Sequence, residues 1–291
     1  MMNSDPDRSL TIVIPAKNEG TAIGSVVSRA KAACPSAEII VVDDGSEDDT
    51  ASAAESAGAR VLRHPVSLGN GAAIKSGVRL AESDLIACLD GDGQHNPEDL
   101  PRLIERIDAG FDMVIGARSA GGHASVGRLF ANGFYNEVAT RLTNQRIVDL
   151  TSGFRVAKAG LFKRFLYLLP NGFSYPTTIT MAFLRSGYPL EFVPIEVARR
   201  EGKSHIRPIR DGIRFLVIIF KIATLYSPLK LFVPVSGLFF FTGLGYYAYT
   251  FFNYGRFTNM SMLIFSASVI IFLIGLISEQ ITALTFSRSN D

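Results

Sequence analysis

Asp90 and Asp92 stand one residue apart in CLDGDGQHNP (88–97), directly after the apolar run LIACL (85–89). Like charges that close repel, and a strand end beside a core is partly desolvated, so either one proton is held there or a cation is expected. In an extended segment the side chains at i and i+2 share a side, so both carboxylates can face one point. Hard oxygens in that arrangement suit Mg2+ or Mn2+, which keep positions open for phosphate oxygens. Gln94 continues the alternation with a neutral oxygen, making Asp90, Asp92 and Gln94 the expected metal ligands. His95 reads either as a further ligand or as a packing and hydrogen-bonding neighbour.

The elements that must carry this pair alternate between strand and helix. LTIVIP (10–15) reads as a strand and 20–33 as a helix. AEIIVVDD (37–44) is a second strand, 47–57 a helix, 60–63 a short strand and 71–82 a helix. Residues 85–89 form a strand, Pro97 opens a helix at a position where proline is welcome, and DMVIGAR (112–118) is the next strand. Apolar β runs alternating with helices predict an α/β domain with a parallel sheet covered on both faces, whose ligands bind beyond the carboxyl ends of the strands. Pro15, Lys17 and Glu19 follow the first strand, Asp43 and Asp44 close the second, Asp90 and Asp92 a later one, and Arg118 the last. One polar strand end is commonly a turn or a cap; four at one rim point to a site. The segment SLGNGAAIKSG (67–77) is not a phosphate loop, because Ile74 stands where that loop needs glycine before the lysine. Its glycines are read as shaping a tight turn into a helix.

Composition shifts after residue 230. Neither 231–255 nor 257–278 contains a charged residue, with Arg256 between them. Each run exceeds the roughly 20 residues a helix needs to cross the hydrocarbon core. The N-terminus, MMNSDPDRS, has no apolar stretch of a signal peptide. Arg199, Arg200, Lys203, Arg207, Arg210, Arg214, Lys221 and Lys230 crowd the segment before the first run. That asymmetry predicts a cytoplasmic domain with both termini on its side of the membrane. Residues 206–226 read as a basic amphipathic helix lying in the membrane interface. The expected organisation is a flexible 1–9, a catalytic domain over 10–200, a juxtamembrane region over 201–228, and two spans within 229–291, at about 231–253 and 260–282, followed by a short tail. The two cysteines, Cys34 and Cys88, suggest reduced core thiols. The net charge of +2 gives no reason to expect a nucleic-acid partner. Gly237, Gly243 and Gly245 suit helix packing, within the hairpin or between copies of the chain.

Six segments in order, IPAKNE (14–19), VVDDGSEDDT (41–50), LDGDGQH (89–95), GAR (116–118), DLTSGFR (149–155) and RREGKSH (199–205), resemble glycosyltransferase family 2. The resemblance is to its polyprenyl-phosphate group, which includes dolichyl-phosphate mannose synthases and undecaprenyl-phosphate transferases. It covers residues 10 to about 230 and implies the GT-A nucleotide-sugar-binding fold. It implies that Pro15, Lys17, Glu19, Val42 and Asp44 line the nucleotide pocket and that Asp90, Gly91, Asp92 and Gln94 hold the metal and sugar diphosphate. Arg118 and Arg128 match acceptor-phosphate positions, and Arg199 matches a donor-diphosphate contact. Two positions depart from the pattern. Lys17 stands where an aromatic is common, and the family's G-x-S-K ends here in His205, so that either His205 or Lys203 makes the lysine's contact.

The activity so implied is a direct, inverting displacement in which a polyprenyl monophosphate attacks C1 of a sugar carried by a UDP or GDP donor. Asp149 is the residue to test as a general base, its alternative roles being to orient Arg155 or to cap a turn; Ser152 and Arg155 are expected to shape the acceptor site. Two rival readings exist. A processive polysaccharide synthase of the same family would resemble its relatives in a QxxRW motif, but this chain contains no tryptophan. A catalytically inactive membrane scaffold would have no need of both carboxylates with Arg118, Arg128 and Arg199.

Overall fold

A computed structural model describes residues 8–118, 133, 136, 137, 139–141, 143, 145–172, 174–197, 217, 220, 224 and 227–287. They belong to two compact units, Met1–Arg141 with Gln145–Gly212, and Leu142–Asn144 with Ile213–Asp291.

The first unit is built on a seven-stranded sheet. Its strands are β1 (Leu10–Ala16), β2 (Glu38–Asp43), β3 (Arg60–Arg63), β4 (Leu85–Cys88), β5 (Met113–Arg118), β6 (Arg155–Lys158) and β7 (Leu190–Ile195), in the order β3-β2-β1-β4-β6-β5-β7. The helices are α1 (Gly20–Ala33), α2 (Thr50–Ser56), α3 (Asn70–Leu80), α4 (Leu100–Asp108), α5 (Ala159–Arg164) and α6 (Tyr175–Arg185). Strand alternation sorts side chains to the two faces. On one face Ile12 and Ile14 of β1 meet Ile23, Val26 and Val27 of α1 and Leu100, Leu103 and Ile107 of α4. On the other, Gly77 lets α3 lie against β1 and β2: a Cβ there would come within 2.4 Å of Val13 Cγ1.

The sheet is mixed rather than wholly parallel. β6 runs antiparallel between β4 and β5, with Cys88 opposite Arg155 and Ile115 opposite Arg155 on its two sides. Because β6 is reversed, the residues just before it reach the same rim at which β1, β2, β4 and β5 end. Both cysteines are free, and burial pushes the Cys88 thiol up to about 12.

The second unit is a helical hairpin of α7 (Pro228–Tyr254) and α8 (Asn259–Ser287), turned at Gly255, whose φ of +62° is the left-handed cap that glycine adopts freely. Both helices are long and apolar enough to cross a membrane. Ser236 and Ser268 exchange hydrogen bonds between the helices, each hydroxyl donating to the other's carbonyl at 2.9 and 3.0 Å. Of the glycines expected to support packing, Gly243 approaches Ile264 and Phe265, while Gly237 and Gly245 face open space. Large apolar side chains such as Phe241 and Phe252 point outward, so this pair is no buried core. The expected interfacial helix, 206–226, lies almost wholly outside the described residues.

Candidate active site

A cleft of about 470 Å³ opens at the carboxyl rim of the sheet. Its lining comes from the β1 end (Pro15, Lys17, Glu19), the β2 end (Asp44), the 67–73 turn, the β4 end (Asp90, Gly91, Asp92), and the segments at 151–153 and 175–176. Four of the polar ends read from the sequence therefore share the unit's rim, three of them around this cleft. Arg118 closes β5 nearby but is not part of the lining.

The loops after β1 and β2 brace each other. Asn18 takes a left-handed φ of +56°, its amide N–H donates to Ser46 Oγ, and its side-chain oxygen accepts from Glu47 N. Asp44 is held still more firmly. Its carboxylate accepts hydrogen bonds from Leu68 N, Gly69 N and Ser67 Oγ, each at 2.8 Å, and from His64 Nδ1 at 2.7 Å. Burial works to raise its pKa, but these donors outweigh it and bring it to about 2. The glycines of the 67–77 segment do shape a tight turn. A Cβ on Gly71 would collide with Pro170 O at 2.1 Å, and Lys75 donates to Leu169 O and Asn171 Oδ1.

The β4 end is different. Gly91 packs against Pro15 O and Ala16, and Gly93 turns at a φ of +71°. Asp92 Oδ1 accepts from Gln94 N at 3.1 Å, while Asp90 lies 3.6 Å from His95 Nδ1. His95 is buried, stacks on Phe154, and its Nδ1 has no hydrogen-bond partner. Burial pushes the Asp90 carboxyl up, partly opposed by His95, although 32% of the side chain faces the cleft. Gly153 makes room for it, since a Cβ there would sit 2.6 Å from Asp90 Oδ2.

Among the described residues no lysine or arginine forms an ion pair with either carboxylate, and no three His, Cys, Asp or Glu side chains gather as a ligand set. Two hard, clustered carboxylates lining an open cleft fit Mg2+ or Mn2+ completed by a ligand's oxygens. Gln94 touches the tip through its main chain and does not line the cleft.

Asp149 and Arg118 form a two-bonded ion pair, Nε to Oδ2 at 2.7 Å and Nη2 to Oδ1 at 3.0 Å, and Arg118 also donates to Thr151 Oγ1. Burial raises the Asp149 pKa, but Arg118 overcomes it and holds the carboxyl below the usual range. Asp149 thus orients Arg118, not Arg155.

Three further sequence expectations change here. Arg155 is fully buried; its guanidinium donates to Pro176 O and Thr180 Oγ1 at 3.1 Å and to Ser152 O, so it is spent inside the fold and does not reach an acceptor. Ser152 is buried too and donates to Gly116 O. Val42 is sealed within β2, opposite Pro15, and does not line the cleft. Arg128, Arg199, Lys203 and His205 lie outside the described residues. Ser67, Asn70, Thr151 and Tyr175 line the cleft without having been singled out; Ser67 and Asn70 stood in the quoted SLGNGAAIKSG and Thr151 in DLTSGFR, while Tyr175 stood in none.

Comparison with known proteins identifies the family and the fold. Residues 11–168 match the model of glycosyl transferase family 2, and residues 227–284 match the GtrB C-terminal hairpin. The polyprenol monophosphomannose synthase of Mycolicibacterium smegmatis is 30% identical over 212 residues, 67% of this chain and 80% of that protein. An undecaprenyl-phosphate 4-deoxy-4-formamido-L-arabinose transferase of Salmonella paratyphi A is 33% identical over 159 residues, 51% of this chain; the match spans only 48% of that longer protein. Glucosyl-3-phosphoglycerate synthase from Mycobacterium tuberculosis, solved with Mn2+, uridine diphosphate and phosphoglyceric acid, shares the fold at a TM-score of 0.60 and 21% identity, covering 76% of this chain and 80% of that one.

Proposed function

Because the chain belongs to glycosyltransferase family 2, we propose that it transfers a sugar, with inversion, from a UDP-sugar or GDP-mannose to a polyprenyl monophosphate at the cytoplasmic face of a bacterial inner membrane. The observation that carries this reading is the Asp90–Asp92 tip, two carboxylates with no lysine or arginine in ion-pair contact among the described residues, lining the same cleft as Pro15, Lys17 and Asp44.

Sheet order supports a donor lying across the rim. Asp44 follows β2 and Asp90 lies beyond the end of β4, with β1 between the two strands. Two strand spacings, about 10 Å, separate the ends, and a nucleoside followed by its diphosphate fits across that distance. A divalent cation held by Asp90 and Asp92 would supply positive charge to the departing diphosphate.

The acceptor phosphate has its second pKa near 6 and arrives largely as a dianion, so the displacement requires no strong base. Asp149 is engaged with Arg118 and is poorly suited to be one. Arg118, held in a fixed plane by that carboxylate, offers its remaining guanidinium edge to a phosphate. The polyprenyl acceptor is supported by the names of the two curated relatives and by the apolar hairpin. The cytoplasmic orientation rests on the basic residues that precede α7.

The test uses the full chain in lipid nanodiscs with undecaprenyl phosphate and a panel of UDP-sugars and GDP-mannose. Formation of a lipid-linked sugar of inverted configuration, lost on chelation, is expected. Undiminished turnover in chelator with Asp90→Ala and Asp92→Ala combined would sink the reading. A chain ending at residue 228 is expected to bind donor normally and to turn over long-chain lipid more slowly.

A further inference from the structure

We propose that His95 is a positioning residue for the cation site: its ring, clamped on Phe154, steadies Asp90 through a hydrogen bond from Nδ1 to Oδ2 and so leaves Oδ1 to the metal. This inference rests on the donor reading above and adds to it a side chain that meets neither the cation nor the donor.

His95 sits behind the acidic tip. Its side chain is only 6% exposed, and it is not part of the cleft lining to which Asp90 and Asp92 belong. Among the described residues it does not join the two aspartates in a three-membered ligand set. Its Nδ1 is nevertheless aimed at one of them. Nδ1 lies 3.6 Å from Asp90 Oδ2, is fully covered, and has no hydrogen-bond partner. That separation is a few tenths of an ångström too long for a hydrogen bond. A buried nitrogen left unpaired is costly and calls for an explanation. A small rotation of the Asp90 side chain supplies one, because it brings Oδ2 into reach. An ionised carboxylate can only accept, so Nδ1 carries the proton in that bond. His95 is thus a donor held in reserve for the state in which Asp90 grips a cation.

The surroundings fix both partners. The imidazole stacks on Phe154 with 5.5 Å between ring centroids and 27° between planes. Phe154 is fully buried and packs against Gly116, where a Cβ would come within 2.8 Å of its Cδ1. The main chain of His95 forms an isolated antiparallel bridge with Val197, just past the end of β7. Gly153 confines the carboxylate, since a Cβ there would lie 2.6 Å from Asp90 Oδ2 and 2.9 Å from Oδ1. Gly153 and Phe154 are the two residues that lead into β6. Parts of LDGDGQH, GAR and DLTSGFR, far apart in the chain, therefore build one support for a single carboxylate.

The experiment titrates Mn2+ into the full-length protein in nanodiscs, with and without UDP, and reads bound metal by electron paramagnetic resonance. The melting temperature of the metal-free protein is measured alongside. His95→Phe keeps a ring on Phe154 and removes the donor. It is expected to weaken Mn2+ binding roughly ten- to a hundredfold, as losses of a ligand's supporting hydrogen bond do, with the melting temperature little changed. His95→Asn sets an amide nitrogen where Nδ1 stands and is expected to bring the affinity back to within about threefold of wild type. The spin-echo spectrum of Mn2+ bound to wild type is expected to show no coordinated nitrogen.

Unaltered Mn2+ affinity in His95→Phe overturns the proposal and leaves the ring as packing alone. A loss in His95→Asn as large as that in His95→Phe overturns it too, as does a coordinated-nitrogen signal in wild type that His95→Asn removes, which would make His95 a ligand. If His95→Phe fails to fold, His95→Leu, also without a donor, takes its place and is read in the same way. Wild-type protein that binds no Mn2+ with or without UDP overturns the metal and donor reading, and this inference with it; normal binding in wild type and variants alike overturns this inference alone.

Discussion

The β2 end and the β4 end of the sheet both deliver aspartates to one cleft, and the fold treats them in opposite ways. Asp44 receives four hydrogen bonds from its own chain and is held at about 2. Among the described residues, Asp90 and Asp92 receive a single hydrogen bond between them, from Gln94 N to Asp92, and a histidine lies 3.6 Å from Asp90. Burial raises the Asp90 pKa, as expected for a carboxylate given too little compensation. A residue type placed at a strand end therefore says little until its partners are counted. Asp44 is satisfied by its own chain, whereas Asp90 and Asp92 are left with little compensation.

The largest test removes the open pair. Alanine at both Asp90 and Asp92 is expected to lower kcat/KM by roughly a thousandfold or more, with the melting temperature of the full chain nearly unchanged. A large loss of stability with retained turnover would mean that these carboxylates are structural.

The next sharpens the geometry of the open end. Gly153→Ala puts a methyl within 2.6 Å of Asp90 Oδ2, and a displacement on the scale of 1 Å costs about a hundredfold in rate. Steady-state kinetics with saturating donor would reveal it, and normal turnover would show that the tip has slack.

Asp149 is an intermediate case, a fourth aspartate at the rim, held by Arg118 and Thr151. Asp149→Asn keeps the shape, removes the charge that orients Arg118, and is expected to cost about tenfold in acceptor kcat/KM. Because Arg118 keeps the Asp149 carboxyl below the ordinary range against the effect of burial, that carboxylate stays ionised at all working pH values. The pH–rate profile of the variant should therefore keep the wild-type shape between pH 6 and 9. Disappearance of an acid limb in that window would restore Asp149 as a base.

The smallest effect lies at the satisfied end. A pKa lowered to about 2 from an ordinary value near 4 means that the ionised form stabilises the fold by about 2 kcal/mol at neutral pH. The sign is that of a depressed acid: the contribution is complete above pH 4 and lost as pH falls through 2. Denaturation of the Asp44→Asn protein should differ from wild type by about that amount at pH 7 and converge with it toward pH 2. A gap that persists at pH 2 would place the effect in packing.

What the sequence made legible follows from these differences. The parallel strands are apolar runs capped by polar ends, and the hairpin helices lack charge over whole spans, so both stood out. β6 did not. It is the four-residue stretch RVAK, too short for alternation to show, and its arginine looks like a surface ligand until the fold surrounds it with carbonyls. β7 was missed for a related reason: LEFVPI carries Pro194, which a central strand would not tolerate and an edge strand can. The role of His64 was invisible because its partners are 20 and 12 residues away and meet only through tertiary structure.

The reversed strand also sets a schedule. Among the described residues, β5 has no neighbour in the strands that precede it in the chain; it pairs with β6 and β7, which are made later. During synthesis, β1 to β4 can assemble as a parallel half-sheet, whereas Arg118 must wait for Arg155 and then for Ile195 to emerge before its strand is fixed. Loop closures of that length slow folding. The β1, β2 and β4 ends of the cleft are thus framed well before the segments at 151–153 and 175–176 that complete it, and a ribosome stalled shortly before residue 151 would carry a nascent chain with the first and without the second.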